Sequence, residues 1–221
     1  MTMRVLVVDD QDLFRAGFRL ILEAQPDITV VGEAVDGGQA VDLAIELEPD
    51  VVVMDVRMPR VDGVAATVRI CAETSAKVLV MTMFDLDDYV YAALRAGASG
   101  FLLKDLRRDE LVDAVRVVAA GEALLAPTVT RRLISDLVQR GHARPELAGR
   151  LAELTERERD TLRHLARGLS NAELAAALVV SEHTVKTHVS SVLSKLRLRD
   201  RVQAVVFAYE AGLVVPGRSD R

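Results

Sequence analysis

From residue 4 to about residue 121 the chain alternates short β-branched runs with longer stretches whose apolar residues recur every three or four positions. The runs RVLVV (4–8), ITVVGE (28–33), VVVM (51–54), VLVM (78–81) and GFLL (100–103) predict strands, and each is followed by a stretch of helical period. Five such units imply a parallel sheet covered on both faces, because parallel neighbours need a right-handed crossover long enough to hold a helix. Leu13, Gly17, Leu20 and Ile21 are expected to form the inner face of the first helix, and Leu111, Val115 and Val118 that of the last. After Gly121 the pattern stops.

Residues 126–139 predict one short helix with a stripe of Leu133, Ile134, Leu137 and Val138, ended by Gly141 and a hinge at Pro145. From 151 onward there is no strand pattern, and helices are expected at 156–167, 171–178, 182–196 and 201–211. Thr155 with Glu158, Ser170 with Glu173, and Asp200 with Gln203 have capping-box spacing. The two short helices around LVVS (178–181) permit a helix-turn-helix. The expected organisation is a domain at 1–122, a linker with one helix at 123–150, an all-α domain at 151–216 and a tail at 217–221.

Length and composition fit this division: 221 residues, half of them hydrophobic, suffice for two small cores. No uncharged apolar run approaches the roughly 18 residues of a membrane span, and the N-terminus reads directly as a strand rather than a secretory signal. A cytoplasmic protein with no membrane partner is expected. The single cysteine, Cys71, is expected to be a core residue without a function. Charge is uneven: residues 1–122 carry 12 basic and 22 acidic side chains, whereas residues 151–221 carry 11 and 9.

The polar residues of the first half gather at strand ends. Asp9 and Asp10 follow the first strand, Asp55 ends the third, Thr82 follows the fourth and Lys104 the fifth. Singly, Asp10 reads as a helix cap, Thr82 as a β-branched filler and Lys104 as a solvated charge. Together they fall where open parallel sheets bind ligands, beyond the carboxyl ends of the strands. Three carboxylates forced together repel, and a divalent cation relieves this; an all-oxygen set suits Mg²⁺. With a lysine and a hydroxyl nearby, such a corner is organised for phosphoryl transfer, with Asp55 as the nucleophile.

The segments VLVVDD (5–10), DVRMPRVDG (55–63), MT (81–82) and AGASGFLLK (96–104) resemble the receiver domain of two-component response regulators over essentially all of residues 1–122. The resemblance implies a flavodoxin-like (βα)5 fold. It implies Asp55 as phosphoacceptor, Mg²⁺ held by Asp10, Asp55 and the Arg57 carbonyl with help from Asp9, and Thr82 and Lys104 holding the phosphoryl group. Phe101 is implied as the aromatic switch residue. Asp105 stands where many receivers have proline, which leaves the isomer of the preceding bond open.

In the second half, helical projection of residues 182–196 puts Val185, Val189, Val192, Leu193 and Leu196 on one face. His183, Lys186, Thr187, Ser190, Ser191 and Ser194 lie on or beside the other. Small hydroxyl residues around a lysine make either a plain solvated surface or one that lets the backbone approach a major groove. Lys195 and Arg199 beyond them suit phosphate. Residues 154–205 resemble the LuxR-type helix-turn-helix, so the whole chain is similar to the NarL/FixJ subfamily. That resemblance implies Lys186, Thr187 and Ser190 as base-facing residues, and Val202, Val205, Val206 and Tyr209 as the dimer surface on DNA. Arg197 stands where glycine is common.

The implied function is a transcription factor, not an enzyme, phosphorylated by a sensor histidine kinase and dimerising on promoter DNA, with RNA polymerase a further candidate partner. A hydrolase working through an aspartyl phosphate would need a substrate cap and a second acid, and neither is evident in the sequence. A receiver serving only for docking would not need the complete acidic set. The four histidines form no zinc pattern and there is no P-loop, so neither zinc nor ATP-driven chemistry is expected.

Overall fold

The computed structural model describes residues 2–83, 87–121, 124–125 and 145–214. The chain divides into two units, Met1–Ala126 and Pro127–Arg221. The expected helix at 126–139 and the tail lie outside the described residues.

In the first unit the strands are β1 (Met3–Val8), β2 (Ile28–Ala34), β3 (Val51–Asp55), β4 (Lys77–Thr82), β5 (Gly100–Leu103) and β6 (Leu124–Leu125). They form one parallel sheet in the order β2-β1-β3-β4-β5-β6. The two-residue β6 was not expected; it adds to the edge of β5, pairing Gly100 with Leu124 and Phe101 with Leu125. The helices are α1 (Asp12–Glu23), α2 (Gly37–Leu47), α3 (Gly63–Glu73), α4 (Asp87–Arg95) and α5 (Arg108–Ala119). Strands with valine, leucine or methionine at successive positions suit a sheet covered on both faces, and β3 is buried at every residue.

The last helix uses the expected face, with Leu111, Val115 and Val118 buried. The first does not. Leu13 and Leu20 are 82% and 75% exposed, while Phe18 and Leu22 are buried and Phe14 and Ile21 pack against the core. The expected set and the observed one share the same spacing and differ by a one-residue rotation of about 100°. Periodicity gave the spacing without its phase; the two phenylalanine rings, 6.0 Å apart, take the inner side.

The second unit contains α6 (Pro145–Ala148), a 3-10 turn at Gly149–Glu153, then α7 (Glu156–Ala166), α8 (Asn171–Leu178), α9 (Glu182–Lys195) and α10 (Arg201–Glu210). Thr155, Ser170, Ser181 and Asp200 cap α7 to α10, each accepting from the backbone N–H three residues on. For α7 and α8 the reciprocal glutamate bond completes the capping box. The turn between α8 and α9 passes through Val179, at φ +54° and 88% exposed. Arg197, after α9, takes φ +48°, so the place where glycine is common keeps the glycine conformation.

Candidate functional site

Strand order reverses between β1 and β3, and the crevice there lies at the carboxyl ends of both. β1 delivers Asp9 and Asp10 to it, and β3 delivers Asp55. Ligand atoms of the three carboxylates lie within 4.8 Å of one another, with Asp9 and Asp55 buried and Asp10 exposed. Lys104, buried just past β5, sets its Nζ 2.7 Å from Asp9 Oδ2 and 2.8 Å from Asp55 Oδ1. Its backbone N–H donates to the Thr82 carbonyl at 2.8 Å, tying the ends of β4 and β5 together. Thr82 and Phe101 are both buried, and Phe101 is in register with Val80 on the neighbouring strand. The peptide bonds of the described residues are all trans.

Burial pushes the Asp55 carboxyl up from its ordinary value; Lys104 opposes this and the charges of Asp9 and Asp10 add to it. Asp9 Oδ2 touches Lys104 as an ion pair without hydrogen-bond geometry and has no hydrogen-bond donor among the described residues. A buried, under-satisfied carboxylate oxygen beside two further carboxylates is a donor set that fits a hard divalent cation. The Arg57 N–H donates to Asp55 Oδ2 at 3.2 Å, which ties the start of the following loop to the site. Gly63 closes that loop by donating to the Val56 carbonyl at 2.9 Å, and a Cβ at Gly63 would fall 2.0 Å from the Asp55 carbonyl oxygen.

Sequence reasoning missed Phe14. Its ring centroid lies 4.7 Å from Lys104 Nζ, so an aromatic face contacts the ammonium group that pairs with Asp9 and Asp55. The signal was an aromatic four residues after Asp10, concealed by the wrong phase of α1. Tyr89 was also missed: the Arg57 guanidinium sits 5.1 Å from its ring centroid.

In the second unit, α9 exposes His183, Lys186, Thr187, Ser190 and Ser194 and buries Val185, Val192 and, just beyond its end, Leu196. Lys195 borders the same face and donates to Glu158 at 2.7 Å. Glu158 also accepts from Ser191 at 2.5 Å and from the Thr155 N–H and hydroxyl. The Lys195 and Ser191 bonds, against the opposing effect of burial, hold its carboxyl at about 2. Arg199 is half-buried with Nη1 screened from solvent. Val202, Val205, Val206 and Tyr209 are at most 8% exposed, and the Tyr209 hydroxyl donates to the Ala166 carbonyl at 3.1 Å.

An aspartate triad with a bridging lysine at the switch point of a flavodoxin-like sheet, followed by a helix-turn-helix unit, defines a phospho-receiver class of DNA-binding regulator. Residues 5–116 match the family described as response regulator receiver domain, and residues 152–208 match bacterial regulatory proteins, luxR family. The chain is 46% identical over 215 residues to the transcriptional regulatory protein YxjL of Bacillus subtilis, covering 96% of this chain and 97% of that one. It is 44% identical over 213 residues to LiaR of the same organism, covering 96% and 99%. The crystal structure of the response regulator ChrA from a heme-sensing two-component system aligns with TM-score 0.53 and 38% identity, over 96% of this chain and 99% of that one. The chain belongs to the two-component response regulators with a LuxR-type DNA-binding domain, a family in which regulation by phosphorylation is typical.

Proposed function

We propose that Asp55 accepts a phosphoryl group from a sensor histidine kinase and that this controls promoter binding by the second unit. The observation that carries the proposal is the Lys104 ammonium set between Asp9 and Asp55 at 2.7 and 2.8 Å. A carboxylate oxygen of Asp55 attacks phosphorus in line, the bond from phosphorus to the donor imidazole breaks, and the imidazole leaves with the electron pair. Lys104 then pairs with a phosphoryl oxygen in place of the carboxylate, and the Thr82 hydroxyl donates to another. Asp9, Asp10, Asp55 and the Arg57 carbonyl would hold Mg²⁺, which supplies positive charge against the triad and the phosphoryl oxygens. Phosphorylation adds roughly 1.5 to 2 negative charges; Thr82 moves toward them and Phe101 turns into the space it leaves.

On this reading residues 1–122 are the receiver, 123–150 the linker and 151–216 the DNA-binding domain of a cytoplasmic protein. Lys186, Thr187 and Ser190 face base edges, with Lys195 and Arg199 nearer the phosphates. A dimer through Val202, Val205, Val206 and Tyr209 belongs to the activated state, and RNA polymerase is a candidate partner of that state.

The test is incubation with Mg²⁺ and a small phosphodonor, followed by electrophoretic separation of the phosphorylated form. Uptake is expected in wild type and lost in Asp55→Asn or with chelator. Undiminished labelling of Asp55→Asn places the acceptor elsewhere.

A further inference from the structure

The loop between β3 and α3 carries Arg57, and its outer edge is held by contacts that the phosphorylation chemistry alone does not require. Arg60 sits at φ +66°, a left-handed conformation disfavoured for a residue with a Cβ. Such a conformation persists where surrounding contacts over-determine it. The contact here is the Arg60 guanidinium, which donates through Nε to Asp36 Oδ2 at 2.9 Å and through Nη2 to the same oxygen. The other oxygen of Asp36 is already used, accepting from the Gln39 N–H at 3.0 Å as the cap of α2. The carboxylate is therefore fixed on the receiver framework, and Arg60 is fixed to it.

The two loops also meet through backbone. The Gly37 N–H donates to the Val61 carbonyl at 3.0 Å, and a Cβ at Gly37 would fall 2.6 Å from that oxygen and 2.9 Å from Asp62 O and Ala66 Cβ. At its base the loop is closed by Gly63 on Val56, and at its start the Arg57 N–H is bonded to Asp55. Residues 56–63 are thus restrained at both ends and, midway, by Arg60.

We propose that the Asp36–Arg60 ion pair is a clasp that holds the 56–63 loop in the shape presenting the Arg57 carbonyl to Mg²⁺, so that both are positioning residues for metal binding. The inference rests on the Mg²⁺ reading given above. Neither side chain is a ligand. Outer contacts that orient a metal's ligands commonly change its affinity by about 10- to 100-fold when removed, and the lower end applies here because Arg57 offers one carbonyl among several oxygens. Simple charge arithmetic gives the opposite sign: removing the Arg60 cation should strengthen binding of a dication. The sign of the change therefore separates clasp from field.

Calorimetric titration of the full chain with Mg²⁺ tests this. Arg60→Gly, which accepts the positive φ without a Cβ, is expected to raise the Mg²⁺ Kd about tenfold without lowering the thermal midpoint in EDTA. Asp36→Asn keeps an amide oxygen to cap α2 and is expected to weaken binding in the same direction. The double variant, whose formal charge at the pair equals that of wild type, is expected to bind no more weakly than the weaker single variant. Unchanged or tighter binding by Arg60→Gly overturns the clasp while leaving the metal site standing. A lowered EDTA midpoint with unchanged affinity also overturns it, by showing a purely structural pair. A wild-type chain that takes up no Mg²⁺ overturns the metal reading and the clasp with it.

Discussion

Glu158 joins α7 to α9, and replacing it with glutamine isolates what its charge does. Glutamine is accepted at this position of a capping box, so the helix start is preserved while the charge facing Lys195 and Ser191 is removed. The carboxyl is held at about 2 against an ordinary 4.5. At about 1.4 kcal/mol per pH unit that difference sets an upper bound of about 3.5 kcal/mol on its contribution at neutral pH. Lys195 is 39% exposed, and solvent screens that part of the attraction. The expected cost of Glu158→Gln at pH 7 is therefore about 1–2 kcal/mol. The sign of its pH dependence follows from the depressed value. The unfolded chain takes up a proton at this residue near 4.5 and the folded chain only near 2, so the contribution is present above 4.5 and lost as pH falls toward 2. Urea unfolding of wild type and variant, followed by helical circular dichroism at pH 7, 5, 4 and 3, should show the gap narrowing across that window. A gap of the same size at pH 3 as at pH 7 would refute the electrostatic reasoning and leave only side-chain packing.

Burial raises the Asp55 carboxyl, so its contribution to stability falls as pH rises from its ordinary 3.8 through the folded value. Asp55→Asn is accordingly expected to raise the thermal midpoint of metal-free protein above pH 7 in scanning calorimetry, and equal midpoints would show that Lys104 compensates fully. Lys186→Ala should cost about 1–3 kcal/mol on a cognate duplex and relax sequence preference; equal losses on cognate and scrambled duplexes would demote it to a backbone contact. Lys195→Ala should lower the slope of log affinity against log salt by less than the roughly 0.9 of a full phosphate contact, because Glu158 already holds the ammonium group. A full-sized change in slope would mean that DNA draws Lys195 away from Glu158.

Strand positions, the parallel sheet and the five polar groups at four strand ends were legible because each rests on a strong local signal: β-branched runs, crossover spacing, and polar residues where an apolar run stops. The caps Thr155, Ser170 and Asp200 were legible for the same reason. What escaped depends on phase or on distant partners. The inner face of α1 was misassigned because Leu13–Leu20 and Phe14–Ile21 have the same spacing, and with the correct face went Phe14 under Lys104. Lys195 read only as suited to phosphate because its partner lies 37 residues away on α7. Asp36 and Arg60 are 24 residues apart, and no local pattern announces their pairing. The tight fit of Gly63 against Asp55 likewise depends on tertiary closure.

Val179, solvent-exposed at the turn into α9, has a consequence for altering this protein. A β-branched residue in the left-handed region carries strain of about 1–3 kcal/mol, yet Val179 and Val180 donate to the carbonyls of Ala176 and Ala175, and the Arg157 guanidinium donates to Leu178 O. The turn is thus specified by its backbone and by α7, not by the side chain at its apex. Glycine there would release strain without moving the scaffold, and the margin gained could absorb destabilising changes at Lys186, Thr187 or Ser190. Retargeting this regulator to a new operator would begin at a residue outside the core.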